Sequence, residues 1–303
     1  MKRTALLPYL LLTLTVLFWS GNFILARGIR ELIPPVSLNF WRWVGALAIL
    51  APFGIPRLRR QRQLFRRHWR WVFFLSIPAI TFFNAFIYHA LQTTTATNTV
   101  LVNAMIPILI ALAAWPALGE RMRPRQSAGV LVSLFGLVAI VTRGDPAVLK
   151  TLTLSTGDLW TLAAAVSWAL YSVMLRKRPA AMDPVAFLTL LIIFGLLASL
   201  PWYLWELHHQ GGFGLSSATL ASLAYVALFP SVLSFIFWNH GIEKVGANQT
   251  GIFIHLMPVF SIVMAVLFLD EQLQWFHLLG MALIFSGIAL TTVHVNPDRV
   301  KRH

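Results

Sequence analysis

Ten stretches of about 20 residues are almost free of charge: 8–26, 34–55, 71–91, 96–117, 125–142, 157–175, 184–205, 219–241, 247–268 and 275–295. A bilayer core about 30 Å thick takes about 20 helical residues at 1.5 Å each, so every stretch can cross once as a helix. Each is about twice the length that a barrel strand needs, and continuously apolar where such a strand would alternate. The chain therefore reads as an all-α integral membrane protein with ten transmembrane helices. Composition agrees. Only 11% of the residues are charged, against about 25% in soluble domains, too few to coat a particle of this size in water. The 22 Phe and 12 Trp exclude disorder, because such a chain must bury apolar surface.

A net charge of +14 raises the question of nucleic acid, and the placement of the charges answers it. With the N-terminus in the cytoplasm, 19 of the 24 Lys and Arg fall on the inner side, among them Arg57, Arg59, Arg60, Arg62, Arg66, Arg67 and Arg70. Four (Arg27, Arg30, Arg143 and Lys150) fall outside, and Arg42 lies within a span. Such an excess of basic residues in inner loops is an orientation signal, so the expectation is cytoplasmic N- and C-termini and no nucleic-acid partner. The first apolar run, preceded by Lys2 and Arg3, resembles a signal peptide in charge. It lacks a small-x-small cleavage pattern, and is expected to be an uncleaved first span. Trp69, Trp71, Trp160, Trp202, Trp205 and Trp275 lie at span ends, where indoles prefer the headgroup region. Trp19 and Trp168 lie near mid-span instead.

Shifting the sequence by 151 residues aligns spans 3 to 5 with spans 8 to 10 without a gap. Ten identities result over positions 86–138, including His89 on His240, Pro107 on Pro258, Glu120 on Glu271, Gly129 on Gly280 and Gly136 on Gly287. Pro, Glu, His and Gly in register are not explained by shared hydrophobicity. A shift of 149 lays Trp19 on Trp168 and Arg27 on Arg176. The expected organisation is two five-helix repeats, 1–150 and 151–303. Five is odd, so the second repeat enters the membrane from the opposite side. Inverted repeats of this kind build many secondary transporters, which open alternately around a midplane site.

Helix 4 carries a mid-helix Pro followed by Leu118-Gly119-Glu120 and the Gly129/Gly136 pair. Helix 9 carries the same order, with Leu269-Asp270-Glu271 and Gly280/Gly287. Together with Phe18-Trp19-Ser20 and Phe40-Trp41-Arg42, this pattern resembles the EamA family of the drug/metabolite transporter superfamily over nearly the whole chain. Asp270 departs from it, standing where the family's second repeat usually has Gly. The resemblance implies export of small metabolites across a bacterial cytoplasmic (inner) membrane, with neutral or aromatic amino acids foremost. A multidrug or toxic-molecule exporter is the alternative within this class, and an integral-membrane enzyme or lipid-handling scaffold the alternative outside it.

Candidate site residues follow from polarity within spans. Trp19 and Trp168, with Asn22 and Tyr171 a turn further along, read as an aromatic cavity wall with polar handles, the usual lining of small-molecule pockets. Asn84, Tyr88 and Asn103 extend a polar rim outward. Trp238 and Asn239 mark the inner mouth. His255, just before Pro258, is a ligand or relay candidate, while His89 and His240 lie at opposite faces as gate candidates. Arg42, with no counterpart in helix 7, is a gate or coupling candidate that could meet a carboxylate, the alternative being that it holds backbone carbonyls of a broken helix or snorkels outward. Pro107 and Pro258 each remove a backbone hydrogen bond and are expected to bend helices 4 and 9 beside the pathway. The glycine pairs give small faces for helix packing or dimerisation, and the expected assembly is a monomer or homodimer. The acids lie in loops or at helix ends, so a proton-for-dication exchange through a buried carboxylate is not expected. Glu120 is expected to pair with a nearby Arg such as Arg121 or with loop amides. No cofactor and no metal is expected. Without Cys there is no thiol chemistry or Cys-ligated metal. Without a P-loop, H-E-x-x-H or G-x-S-x-G there is no ATP drive and no enzymatic motif.

Overall fold

The computed structural model describes residues 6–29, 31–90, 93–94, 96–151, 155–268 and 272–292. Asp270 and Glu271, and the last three residues of the tenth apolar stretch, lie outside them. Ten helices among the described residues are long and apolar enough to cross a membrane. They are α1 (Leu7–Ala26), α2 (Pro35–Arg60), α3 (Arg62–Ala90), α4 (Asn98–Leu118), α5 (Pro124–Val141), α6 (Thr156–Leu175), α7 (Pro184–Gln210), α8 (Ser217–Val245), α9 (Ala247–Met264) and α10 (Trp275–Thr292). Several outrun their apolar stretches. α3 has 29 residues, about 43 Å of helix, because its Arg-rich first two turns continue the helix beyond the part that hydropathy marks.

Local chemistry sets the ends. Ser155 and Asp158 form a reciprocal capping box at the start of α6, satisfying two amides that the first turn leaves free. Asp158 also accepts from the hydroxyl of Thr94 and from Asn98 Nδ2 (3.0 Å), tying the α3–α4 connection to α6. Asp183 accepts from the amides of Val185 and Ala186 at the start of α7. α4 stops at Gly119, whose φ of 70° is left-handed and free of a Cβ penalty.

Four spans are irregular, and the irregularities fall at positions about 151 residues apart. α3 and α8 each contain a π-helical segment, Ile77–Phe82 and Ala227–Leu233. α4 is interrupted between Asn103 and Ile106, and α9 passes through a 3-10 segment at Ile252–His255. Proline accounts for each: Pro78, Pro107, Pro230 and Pro258 lack the N–H that a regular ladder needs. Hydroxyls take up some of the freed carbonyls in α8, where Ser231 Oγ donates to Val226 O (2.7 Å) and Ser234 Oγ to Phe229 O (2.9 Å).

Packing follows a pattern that survives exchanging helices 1–5 for 6–10. α5 packs on α10 and α2 on α7, while α1 packs on α8 and α9 as α6 packs on α3 and α4. The glycine pairs are consumed within the chain: a Cβ at Gly136 would lie 2.6 Å from Gly280 O, and one at Gly129 2.5 Å from Gly287 O. These faces therefore join α5 to α10 and are not free for a second copy.

The α2–α7 pair is tied at both ends. Glu206, 2% exposed, accepts from Val36 N (3.0 Å), Ser37 N (2.6 Å) and Ser37 Oγ (2.8 Å), capping α2 from the end of α7. At the other end Gln61 bonds Asp183 N and Ala181 O, and Arg57 lies 3.7 Å from Asp183. Around the bundle, Phe53, Phe74, Phe135, Leu159, Leu197 and Phe285 are exposed, as lipid-facing side chains of a membrane bundle would be.

Candidate substrate site

A cavity sits at mid-depth between α1, α2, α3, α4, α6, α8 and α9, lined by residues that include Trp19, Asn22, Arg42, Asn84, Asn103 and Trp168. Its free volume is about 20 Å³, room for ordered water and far less than a metabolite needs. The aromatic wall expected from the sequence is present, and its rings take up much of the midplane. Trp19 meets Trp168 edge-on at 5.0 Å and Trp238 at 5.1 Å, and Trp168 contacts Trp238, Phe83, Phe235 and Tyr171 at 4.9 to 5.5 Å. Trp238, expected at the inner mouth, is thus in direct contact with the mid-span pair.

The irregular segments orient these groups. Trp19 Nε1 donates to the carbonyl of Pro230 (3.1 Å), in the π-helical part of α8. Trp238 Nε1 donates to Ser172 Oγ (3.2 Å). Tyr171 turns from the cavity towards α8, its hydroxyl donating to Asn239 Oδ1 (2.6 Å), so these two residues form an α6–α8 clasp below the tryptophans. Asn22 Oδ1 accepts from Tyr88 OH (3.3 Å), which in turn accepts from Arg42 Nη1 (2.9 Å). Arg42 Nε donates to Ser231 Oγ (2.9 Å). Arg42 is therefore at the cavity, beside the polar rim.

The histidines do not gather there. His255 is fully buried, with Nε2 2.9 Å from Ala104 O and Nδ1 against Ser133 Oγ. Both nitrogens are engaged by the protein, bridging the interrupted part of α4 to the 3-10 part of α9 at positions 151 apart. His89 is exposed and packs edge-on against Trp160 at 5.2 Å. His240 is half-buried. Among the described residues no cluster of His, Asp and Glu is arranged to hold a metal.

At the basic end of the bundle, Arg176 Nη2 lies 3.1 Å from Glu120 Oε1 and Nη1 donates to Ile242 O (3.3 Å), linking the α4–α5 turn to α6 and α8. Glu120 thus pairs with Arg176 and not with Arg121, which stacks over Trp115 at 4.7 Å. The turn at Gly119 aims the carboxylate across the bundle, a direction that adjacency in sequence does not reveal.

Sequence reasoning missed Ser231, Phe83, Phe235, Ile106, Ile254 and Met257. The last five line the cavity, while Ser231 holds Arg42. A signal existed: Asn84 and Phe235, Asn103 and Ile254, and Ile106 and Met257 are pairs 151 residues apart. In the first two, the polar member belongs to the N-terminal half and the apolar one to the C-terminal half.

The EamA-like transporter family matches the chain twice, at residues 6–142 and 155–293. The chain belongs to that family. As an EamA-like member of the drug/metabolite transporter superfamily it is a membrane transporter and not an enzyme. It is 26% identical over 280 residues to the uncharacterized transporter YyaM of Bacillus subtilis, covering 92% of each chain. Over 289 residues it is 28% identical to an uncharacterized transporter of Archaeoglobus fulgidus, covering 94% of this chain and 96% of that one. It is also 24% identical over 284 residues to a protein of Escherichia coli named a probable amino-acid metabolite efflux pump, covering 91% of each. A solved crystal structure shares the fold with a TM-score of 0.77 at 23% identity, covering 96% of this transporter and 97% of that chain.

Proposed function

We propose that the protein is a secondary transporter that exports small metabolites, foremost neutral or aromatic amino acids, across a bacterial cytoplasmic membrane. Two inverted five-helix repeats, residues 1–150 and 151–303, open alternately to either side of the midplane cavity, with both termini in the cytoplasm. The observation that carries this reading is the mixed lining: Asn22, Arg42, Asn84 and Asn103 supply polar groups, while Trp19, Phe23, Phe83 and Ile106 from the first half and Trp168, Phe235, Ile254 and Met257 from the second supply apolar surface. A solute with a polar head and an apolar body matches such a surface, and a neutral amino acid with a large side chain is one. The exchangeable packing pattern, the paired irregular segments and the double family match support the repeats. The 19 to 4 distribution of basic charge supports the orientation. The name of the Escherichia coli relative supports amino-acid metabolites as cargo.

Opening towards the basic end requires parting Arg176 from Glu120 and Tyr171 from Asn239. Opening the other way requires releasing Asp158 from Thr94 and Asn98. A lipophilic cation is disfavoured as cargo because Arg42 puts like charge in the lining. Purified protein in liposomes preloaded with an unlabelled amino acid is expected to take up the labelled one by counterflow without ATP, for at least one of phenylalanine, tryptophan, leucine and threonine. Flux of a lipophilic cation with no counterflow of any amino acid would refute the reading.

A further inference from the structure

Arg42 is 1% exposed and sits at mid-depth in a membrane protein, where an ionised group is retained only with strong compensation. Its two hydrogen bonds go to neutral hydroxyls, Ser231 Oγ and Tyr88 OH. No carboxylate among the described residues pairs with it. The buried acids of the bundle are occupied elsewhere, Glu206 on the start of α2 and Asp158 on Thr94 and Asn98. The third guanidinium nitrogen, Nη2, makes no hydrogen bond among the described residues, and Arg42 lines the cavity.

Two further residues of that lining carry buried polar atoms that have no hydrogen-bond partner among the described residues. Among the described residues, the buried donor Trp168 Nε1 meets no acceptor and the buried acceptor Asn103 Oδ1 meets no donor. Buried polar atoms left unpaired are uncommon and costly, and a bound ligand is one way they become paired. One cationic donor, one neutral donor and one acceptor, carried by three residues that line a single cavity, are the complement of a carboxylate beside an amine. We propose that Arg42 receives the carboxylate of the bound solute, with Trp168 Nε1 as second donor, and that Asn103 Oδ1 takes its amine. The ligand class is then the α-amino acid, its side chain turned to Phe235, Ile254 and Met257. This deepens the export reading and rests on it for the word cargo, but binding itself can be measured without flux.

Trp19 and Trp168 line the cavity, so tryptophan fluorescence of the purified full-length protein reports its occupancy. The probes are phenylalanine, phenylalaninamide, which lacks the carboxylate, and 3-phenylpropionate, which lacks the amine. Phenylalanine is expected to bind tightest, with the amide weaker by roughly ten- to a hundredfold, the range for one charge-assisted hydrogen-bonded contact. Arg42→Gln abolishes the difference between acid and amide, while Arg42→Lys keeps part of it. Asn103→Ala abolishes the preference for phenylalanine over 3-phenylpropionate and leaves the acid-to-amide ratio intact. A purely structural Arg42, bridging α2 to α3 and α8, would weaken all three probes equally when replaced. That result, or equal binding of the three by the unaltered protein, or no binding at all, overturns the assignment. Should Arg42→Gln fail to fold, the unaltered protein and Asn103→Ala carry the test. Discrimination without counterflow refutes export and leaves the assignment standing. Counterflow without discrimination does the reverse.

Discussion

Glu206→Ala removes one carboxylate that does the work of a cap for a helix start 170 residues away in sequence. It accepts three hydrogen bonds from Val36 and Ser37 at the start of α2, where Pro34 offers no side-chain cap. Losing a cap costs about 1 kcal/mol, and stranding buried donors adds about 1–3 kcal/mol, so the expected loss is about 2–4 kcal/mol. For a chain of this size that is a fall of about 4–8 °C in Tm. Glu206→Gln, which keeps one acceptor oxygen but turns an amide donor towards an N–H, is expected to recover less than half. Adding Ser37→Ala to Glu206→Ala should cost little more, because the shared hydrogen bond is already gone. The control is Arg57→Ala at the other end of the same helix pair: its ion pair is open to solvent, with side chains 44% and 31% exposed, and is worth under about 1 kcal/mol. Thermal unfolding in detergent, followed by tryptophan fluorescence at a single scan rate, measures all four. A Glu206→Ala protein within about 1 °C of the parent would refute the assigned cap.

Trp168→Ala is expected to lower amino-acid counterflow by more than tenfold while leaving a monodisperse elution profile, since five aromatic neighbours still close on one another; undiminished flux would remove this indole from the site. Glu120→Gln breaks a pair whose side chains are about one-third exposed, so stability should change by under about 1 kcal/mol. The chain has no cysteine, and Ser172→Cys therefore gives a single label. Maleimide added from the basic side should modify it faster in the Glu120→Gln background, and equal rates would show that this ion pair does not hold the basic end shut.

The ten spans were legible because lipid tolerates only helices whose backbone is satisfied within the segment, so each had to announce itself as a long uncharged run. Their ends were less so: Arg62–Arg70 continues α3 through a basic stretch in which only Leu64, Phe65 and Trp69 are apolar, too few to read as part of a span, although Phe65 is buried. Of the site, Trp19 and Trp168 stood out because mid-span indoles are unusual. Tyr171 shares their helix face by spacing yet bonds Asn239, and His255 sits beside a kink yet is fully partnered. Spacing along a helix says which residues are neighbours, and only the packing of α6 against α8, and of α9 against α4, says which atoms they meet. The π-helical segments were hidden because Pro78 and Pro230 can be accommodated in several ways, and the choice depends on which neighbours satisfy the freed carbonyls.

Solvent preference is a property of each residue run, and so the chain alone determined that it lies in a membrane and which ten runs are able to cross it. Where Arg42 spends its charge is not such a property. It depends on Ser231 and Tyr88 arriving from two other helices and on no carboxylate among the described residues arriving with them. Tertiary structure decided that, because the free energy of a buried charge is set by partners distant in sequence.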